Sequence, residues 1–168
     1  MKSIFKLLFA AFLTVAPLTV SAQSNVAHIN VQQLISEMPE VIAAQNELAK
    51  LEKDYTTQID NAFKEFQTKA QSYSSDAANQ TDVTNQARQK ELESMQTNLQ
   101  EFRDSAAQEL QKKQMDLMTP LLEKARNAIT KVGEEQGFNY VIDPSPNGGI
   151  ILANGKDLLA DVKKELGF

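Results

Sequence analysis

The sequence predicts a mainly α protein with a small β body, in which one long antiparallel coiled-coil hairpin projects from short strands near both chain ends. Three observations carry that prediction. Apolar residues recur every three or four positions from Val41 to Tyr73 and again from Leu92 onward. A polar stretch from Ser74 to Thr81 separates the two runs. Short β-branched segments stand near Val26 and Tyr140.

The chain opens with Lys2 and Lys6, the apolar run Leu7 to Ala16, Pro17, and small residues up to Ala22. This is the pattern of a secretory signal peptide over residues 1–22. An apolar run of roughly ten residues is too short to cross a bilayer about 30 Å thick as a helix, and no later segment is more apolar. Membrane contact is therefore expected to be at most peripheral. The chain has no cysteine, so neither disulfides nor a lipid-bearing thiol contribute to it. The roughly 146 residues beyond Ala22 amount to one domain.

After Ala22, Val26 to Asn30 reads as a strand and a short helix begins near Val31. Pro39 suits the first turn of a second, longer helix, because proline lacks an amide donor and clashes one turn back. On that helix Val41, Ala44, Leu48, Leu51, Tyr55, Ile59, Ala62, Phe66, Ala70 and Tyr73 form one stripe. Leu51, Ala62 and Tyr73 are equivalent in an eleven-residue rhythm, which predicts straight or slightly right-handed pairing. Thr81 or Asp82 caps the return arm, whose stripe runs through Leu92, Met95, Leu99, Phe102, Ala106, Leu110 and Leu117. A prong of about 35 residues per arm reaches roughly 50 Å.

Thr119 and Pro120 predict a capped break and a kink in the return arm, with Pro39 as the matching hinge on the outgoing arm. Gly133 and Gly137 are expected to end the helix, and Phe138 to Asp143 to form a strand. A turn through Gly148 and Gly149 then leads to a strand over Ile150 to Ala153. Asp157 caps a last helix with Leu158, Leu159, Val162 and Leu166 on its apolar side. The predicted division is a body of residues 23–40 and 119–168, and a hairpin of 41–118 with its tip near 74–81. Short strands make a poor independent sheet, so Val26, Ile29, Val141, Ile142, Ile150 and Leu152 are candidates for oligomerisation.

Composition excludes several functions. Without the leader, 15 basic residues face 22 acidic ones, a balance unsuited to nucleic acid. A single histidine and no cysteine allow neither a catalytic triad nor a typical zinc site in one copy, and His28 reads as a structural or interface side chain. No glycine-rich phosphate loop precedes a helix. Paired acids such as Glu91 and Glu93 fall on polar helix faces. The expectation is a protein without enzymatic activity, metal or cofactor, built to hold another polypeptide. Candidate contacts are Phe63, Phe66, Tyr73, Met95, Phe102 and Met115. Phe66, Met95 and Phe102 fit the seam between the arms better, whereas Phe63 and Met115 lie beside the stripe.

The order of elements, with the segments Val26 to Pro39, Met118 to Leu121 and Gly137 to Leu166, resembles the Skp/OmpH family of periplasmic chaperones. The resemblance implies a homotrimer in which strands from three copies share a small barrel and three hairpin tentacles enclose a cavity. It also implies a periplasmic, ATP-independent holdase whose partners are unfolded outer-membrane proteins. A structural adaptor or scaffold of the cell envelope is the alternative. One departure stands out. Well-known members carry basic tentacles, but residues 45–116 here hold nine basic and thirteen acidic side chains.

Overall fold

The computed structural model describes residues 25–145 and 150–168. The expected leader, residues 1–22, and the Gly148-Gly149 turn lie outside them. Strand β1 (Val26–His28) leads into helix α1 (Val31–Glu37), whose first turn is closed by Asn30 Oδ1 accepting from the Gln33 amide at 2.9 Å. Helix α2 (Pro39–Asp76) starts with Pro39 in its first turn, where no amide partner is needed. A single 3₁₀ turn, Ala77–Asn79, reverses the chain. Thr81 then caps helix α3 (Asp82–Glu135), its hydroxyl accepting from the Thr84 amide at 3.2 Å.

The return arm departs from expectation at two places. Helix α3 runs through Thr119 and Pro120 without a break, so Thr119 is no cap and Pro120 opens no new segment. Pro120 and Asp116, whose carbonyl would have taken the missing amide, are both on the exposed side, where water can satisfy the freed group. Gly133 does not end the helix either. It is buried in the last turn, two residues before the end, and a Cβ there would stand 2.9 Å from Val141 Cγ2, so glycine lets the helix lie directly against the next strand. The stop comes at Gly137, with φ +74°.

Strands β2 (Tyr140–Ile142) and β3 (Lys156–Asp157) flank β1 in the order β2-β1-β3, and both pair with it in parallel. The strand expected at Ile150 to Ala153 is absent, and its place in the sheet is taken by Lys156 and Asp157. An apolar run needs a neighbouring backbone to become a strand. Here one edge of β1 is occupied by β2, and the chain closes on the other edge only at Gly155, where a Cβ would meet the Val26 carbonyl oxygen at 2.5 Å. Ile151 and Leu152 are consequently left exposed.

Helix α4 (Leu159–Leu166) closes the body, with Asp157 Oδ1 accepting from the Leu159 amide at 2.9 Å. Its Leu158 and Val162 side join Ala27, Ile29, Leu34, Met38, Val41, Ala125, Ala128 and Val132 in one core. Every element except β2, β3 and the 3₁₀ turn thus places a residue there, and Val141 of β2 packs against it. Lys131 ties α3 to Glu165 of α4 at 2.6 Å, and Lys163 pairs with Glu37 of α1.

Candidate functional site: the helical prong

Beyond the core, α2 and the first part of α3 run side by side. Each stripe position on α2 is half-buried or better, from Val41 through Tyr73. Only Val41, Ala44, Leu99 and Ala106 are fully shielded on this pair, because two helices alone leave both sides of their seam open to water. Polar ties therefore cross between the arms. From the body outward they are Lys124 with Glu40 at 2.6 Å, Lys113 with Glu47 at 2.8 Å, and the Tyr55 hydroxyl donating to Glu109.

The tip is denser. Glu91 accepts from Lys69 at 2.6 Å and from the Tyr73 hydroxyl at 2.7 Å. Arg88 pairs with Asp76 at 3.1 Å and lies 4.7 Å from the Tyr73 ring centroid. Asn85 Nδ2 donates to the Ala77 carbonyl at 2.9 Å, holding the reversal closed. These contacts tune the groups that make them. Lys69, then Tyr73, hold the Glu91 carboxyl below the ordinary carboxylate value, and Arg88 does the same for Asp76. The Glu91 carboxylate in turn raises both Lys69 and Tyr73.

Between Tyr55 and Lys69 on the outgoing arm, the ion-pair and hydrogen-bond ties stop. The seam there is apolar: Phe102 meets Tyr55 edge-on at 6.1 Å between centroids, with Leu99 buried beyond it. Phe66, Tyr73, Met95 and Phe102 are all half-buried. Phe63 is 39% exposed and Met115 is 55% exposed. Phe63 stacks on Phe66 at 6.5 Å, and the Arg103 guanidinium stands 6.0 Å from its ring centroid. Arg88 and Arg103 escaped the sequence reading, which counted them only as charges. Cross-arm register, which brings each arginine over an aromatic ring, is what gives them a role.

The candidates for oligomerisation scatter. Ile29 is packed inside its own chain at 1% exposure, and its amide donates to the Ile142 carbonyl at 3.0 Å. Val141, Ile142 and Ile150 are half-buried, whereas Val26 and Leu152 are exposed. A groove of about 530 Å³ runs between α1, α3 and β2, walled by Ile35, Leu122, Ile129 and Phe138, with exposed Tyr140 at its rim. Of the residues lining the groove, only Val141 was among the oligomerisation candidates, since the groove is made by elements far apart in the chain. Among the described residues no group of three or more potential metal ligands comes together, and no helix is long and apolar enough to cross a membrane.

Comparison with known proteins gives a consistent result. The profile of the OmpH family, described as outer membrane protein (OmpH-like), matches residues 25–166. A protein named Chaperone protein Skp from Yersinia enterocolitica is 28% identical over 148 residues, covering 85% of this chain and 86% of its own. A Chaperone protein Skp from Pectobacterium atrosepticum is 21% identical over 151 residues, with 90% of each chain covered. The fold is shared with an OmpH-like protein from Caulobacter crescentus, with a TM-score of 0.77 at 12% identity over 86% of this chain and 85% of that one. With body and prong both inside the matched span, the chain belongs to the OmpH-like outer membrane protein family.

Proposed function

We propose that this protein is an ATP-independent holdase of the periplasm that keeps unfolded outer-membrane proteins from aggregating. The observation that carries the reading is the prong. It projects from a small packed body, and its seam leaves apolar side chains such as Phe63 and Met115 in reach of solvent. Many weak contacts of that kind hold a chain without choosing one sequence, and linking several prongs multiplies their effect. Membership of the OmpH-like family and similarity to proteins named as Skp chaperones support it.

Self-association as a homotrimer completes the proposal, with Val26, Val141, Ile142, Ile150 and Leu152 near the contact and the prongs around a shared cavity. Exposed Tyr140, Leu152 and Leu122 on the body favour it, as does a sheet of only three short strands. The Pro39 and Thr119-Pro120 level is the proposed hinge between prong and body. Proline leaves α3 one backbone hydrogen bond short there.

The test is a light-scattering assay in which a urea-unfolded β-barrel membrane protein is diluted into a stoichiometric amount of the purified protein. Suppressed aggregation without nucleotide is expected. Unchanged aggregation, together with tight binding to a folded envelope component, would replace the holdase by an adaptor.

A further inference from the structure

One groove on the prong combines features that the general holdase reading does not use. It lies where the cross-arm ion pairs stop, holds about 450 Å³, and is floored by buried Leu99. Phe63 and Phe66 form one wall as a stacked pair, and Gln96, Thr97 and Gln100 form the other. Arg103 is the one charged residue lining it. Lys69, Arg88 and Lys113 are neutralised by Glu91, Asp76 and Glu47, whereas Lys50, Lys53, Lys64, Lys90 and Lys112 make no ion pair among the described residues but do not line this groove. Arg103 has no carboxylate within ion-pair distance among the described residues and sits over the Phe63 ring instead. Asp60, Glu101 and Asp104 on adjoining turns do not line the groove.

We propose that this groove is a binding site for an extended polypeptide segment in which an aromatic side chain adjoins an acidic one. The inference rests on the holdase reading and names the segment class it prefers. An aromatic ring laid beside Phe63 and Phe66 gains the offset or edge contacts that such rings favour. A neighbouring carboxylate then meets the unpaired guanidinium, whose planar fork donates two parallel hydrogen bonds to it. The Gln96 amide can both donate and accept, while Thr97, whose hydroxyl already donates to the Glu93 carbonyl at 3.0 Å, and Gln100, whose Nε2 donates to Asp104 Oδ1 at 3.1 Å, keep their oxygens as acceptors for the unpaired backbone of an unfolded chain. A second groove that shares Phe66 is lined by Gln67, Thr68, Gln71, Ser72 and Ser75 and has no charged residue in its lining.

The proposal is tested with short, labelled, unstructured peptides that differ only at one dyad: Phe-Asp, Phe-Lys or Ala-Asp. Fluorescence anisotropy with the whole purified protein is expected to show Phe-Asp binding at least about fivefold more tightly than either other peptide. Arg103→Glu should invert the order of the two Phe peptides, and Phe63→Ala should weaken both. Each variant is checked for unchanged helicity, and Arg103→Gln, which removes the charge alone, is expected to abolish the discrimination between the two Phe peptides. Equal binding of all three peptides by the wild type would overturn the proposal, as would an Arg103→Glu variant that keeps the original order. If the wild type suppresses barrel aggregation yet shows no dyad preference, this site fails and the holdase stands. If aggregation is not suppressed, the holdase itself fails whatever the peptides do.

Discussion

Body and prong draw on the same aliphatic, small and charged residues, yet they are held together by different physics. In the body, elements from both ends of the chain enclose a core in which Ala27, Leu34, Met38, Val41, Leu158 and Val162 have no exposed surface. In the prong, two helices share a seam that water reaches from either side, and most stripe residues are only half-buried. Ion pairs and hydrogen bonds across the arms supplement it, and pairs of that exposure are each worth about 1 kcal/mol or less. A packed core fixes one arrangement; a lightly buried pair of helices keeps apolar side chains accessible. The proposed holding of an unfolded chain draws on the second property, anchored on the first.

The largest effect that would sharpen this contrast is a core truncation. Leu34→Ala is expected to cost about 3 kcal/mol in urea unfolding, since the cavity it leaves is sealed on all sides. Leu99→Ala, at the best-buried leucine of the prong, should cost roughly half as much, because the two arms can close over the gap. Equal losses at both sites would mean that the prong is as tightly packed as the body.

Acidification should separate the two regions further. The Glu91 carboxyl is lowered from its ordinary 4.5 and the Asp76 carboxyl from 3.8, so each contributes stability that is complete above those values. That contribution is lost as pH falls through the depressed folded-state values. The Asp161 and Glu37 carboxyls that tie α4 are lowered too, but α4 is also held by buried Leu158 and Val162, so amide exchange in the tip, near residues 69–91, is expected to accelerate below about pH 4.5 before exchange in α4 does, and Glu91→Gln should reduce the difference. Simultaneous loss of protection in both regions would show that the tip does not open independently.

The smallest effect concerns salt. Because residues 45–116 carry more acid than base, affinity for an unfolded client is expected to change less than about threefold between low and physiological ionic strength. A single exposed guanidinium at Arg103 is compatible with so shallow a slope. A steep fall would instead place electrostatic capture at the centre of the prong's function.

Local sequence signals determined a large part of this molecule. The spacing of apolar residues located the α2 stripe position by position. Pro39 and Thr81 marked helix starts, because a missing amide and a short hydroxyl act within one turn of the backbone. What only the tertiary structure decided involves partners distant in the chain. The parallel β2-β1-β3 ladder brings residues 26–28 beside 140–142 and 156–157, and no local pattern distinguishes that from the hairpin implied by Ile150 to Ala153. Pro120 stayed inside a helix because its face is solvated, and Gly133 stayed inside because Val141 comes close enough to exclude a side chain. Arg103 became part of a groove only when the return arm set it over Phe63 of the outgoing one. Periodicity and caps are properties of consecutive residues; register between separate segments is settled only by packing.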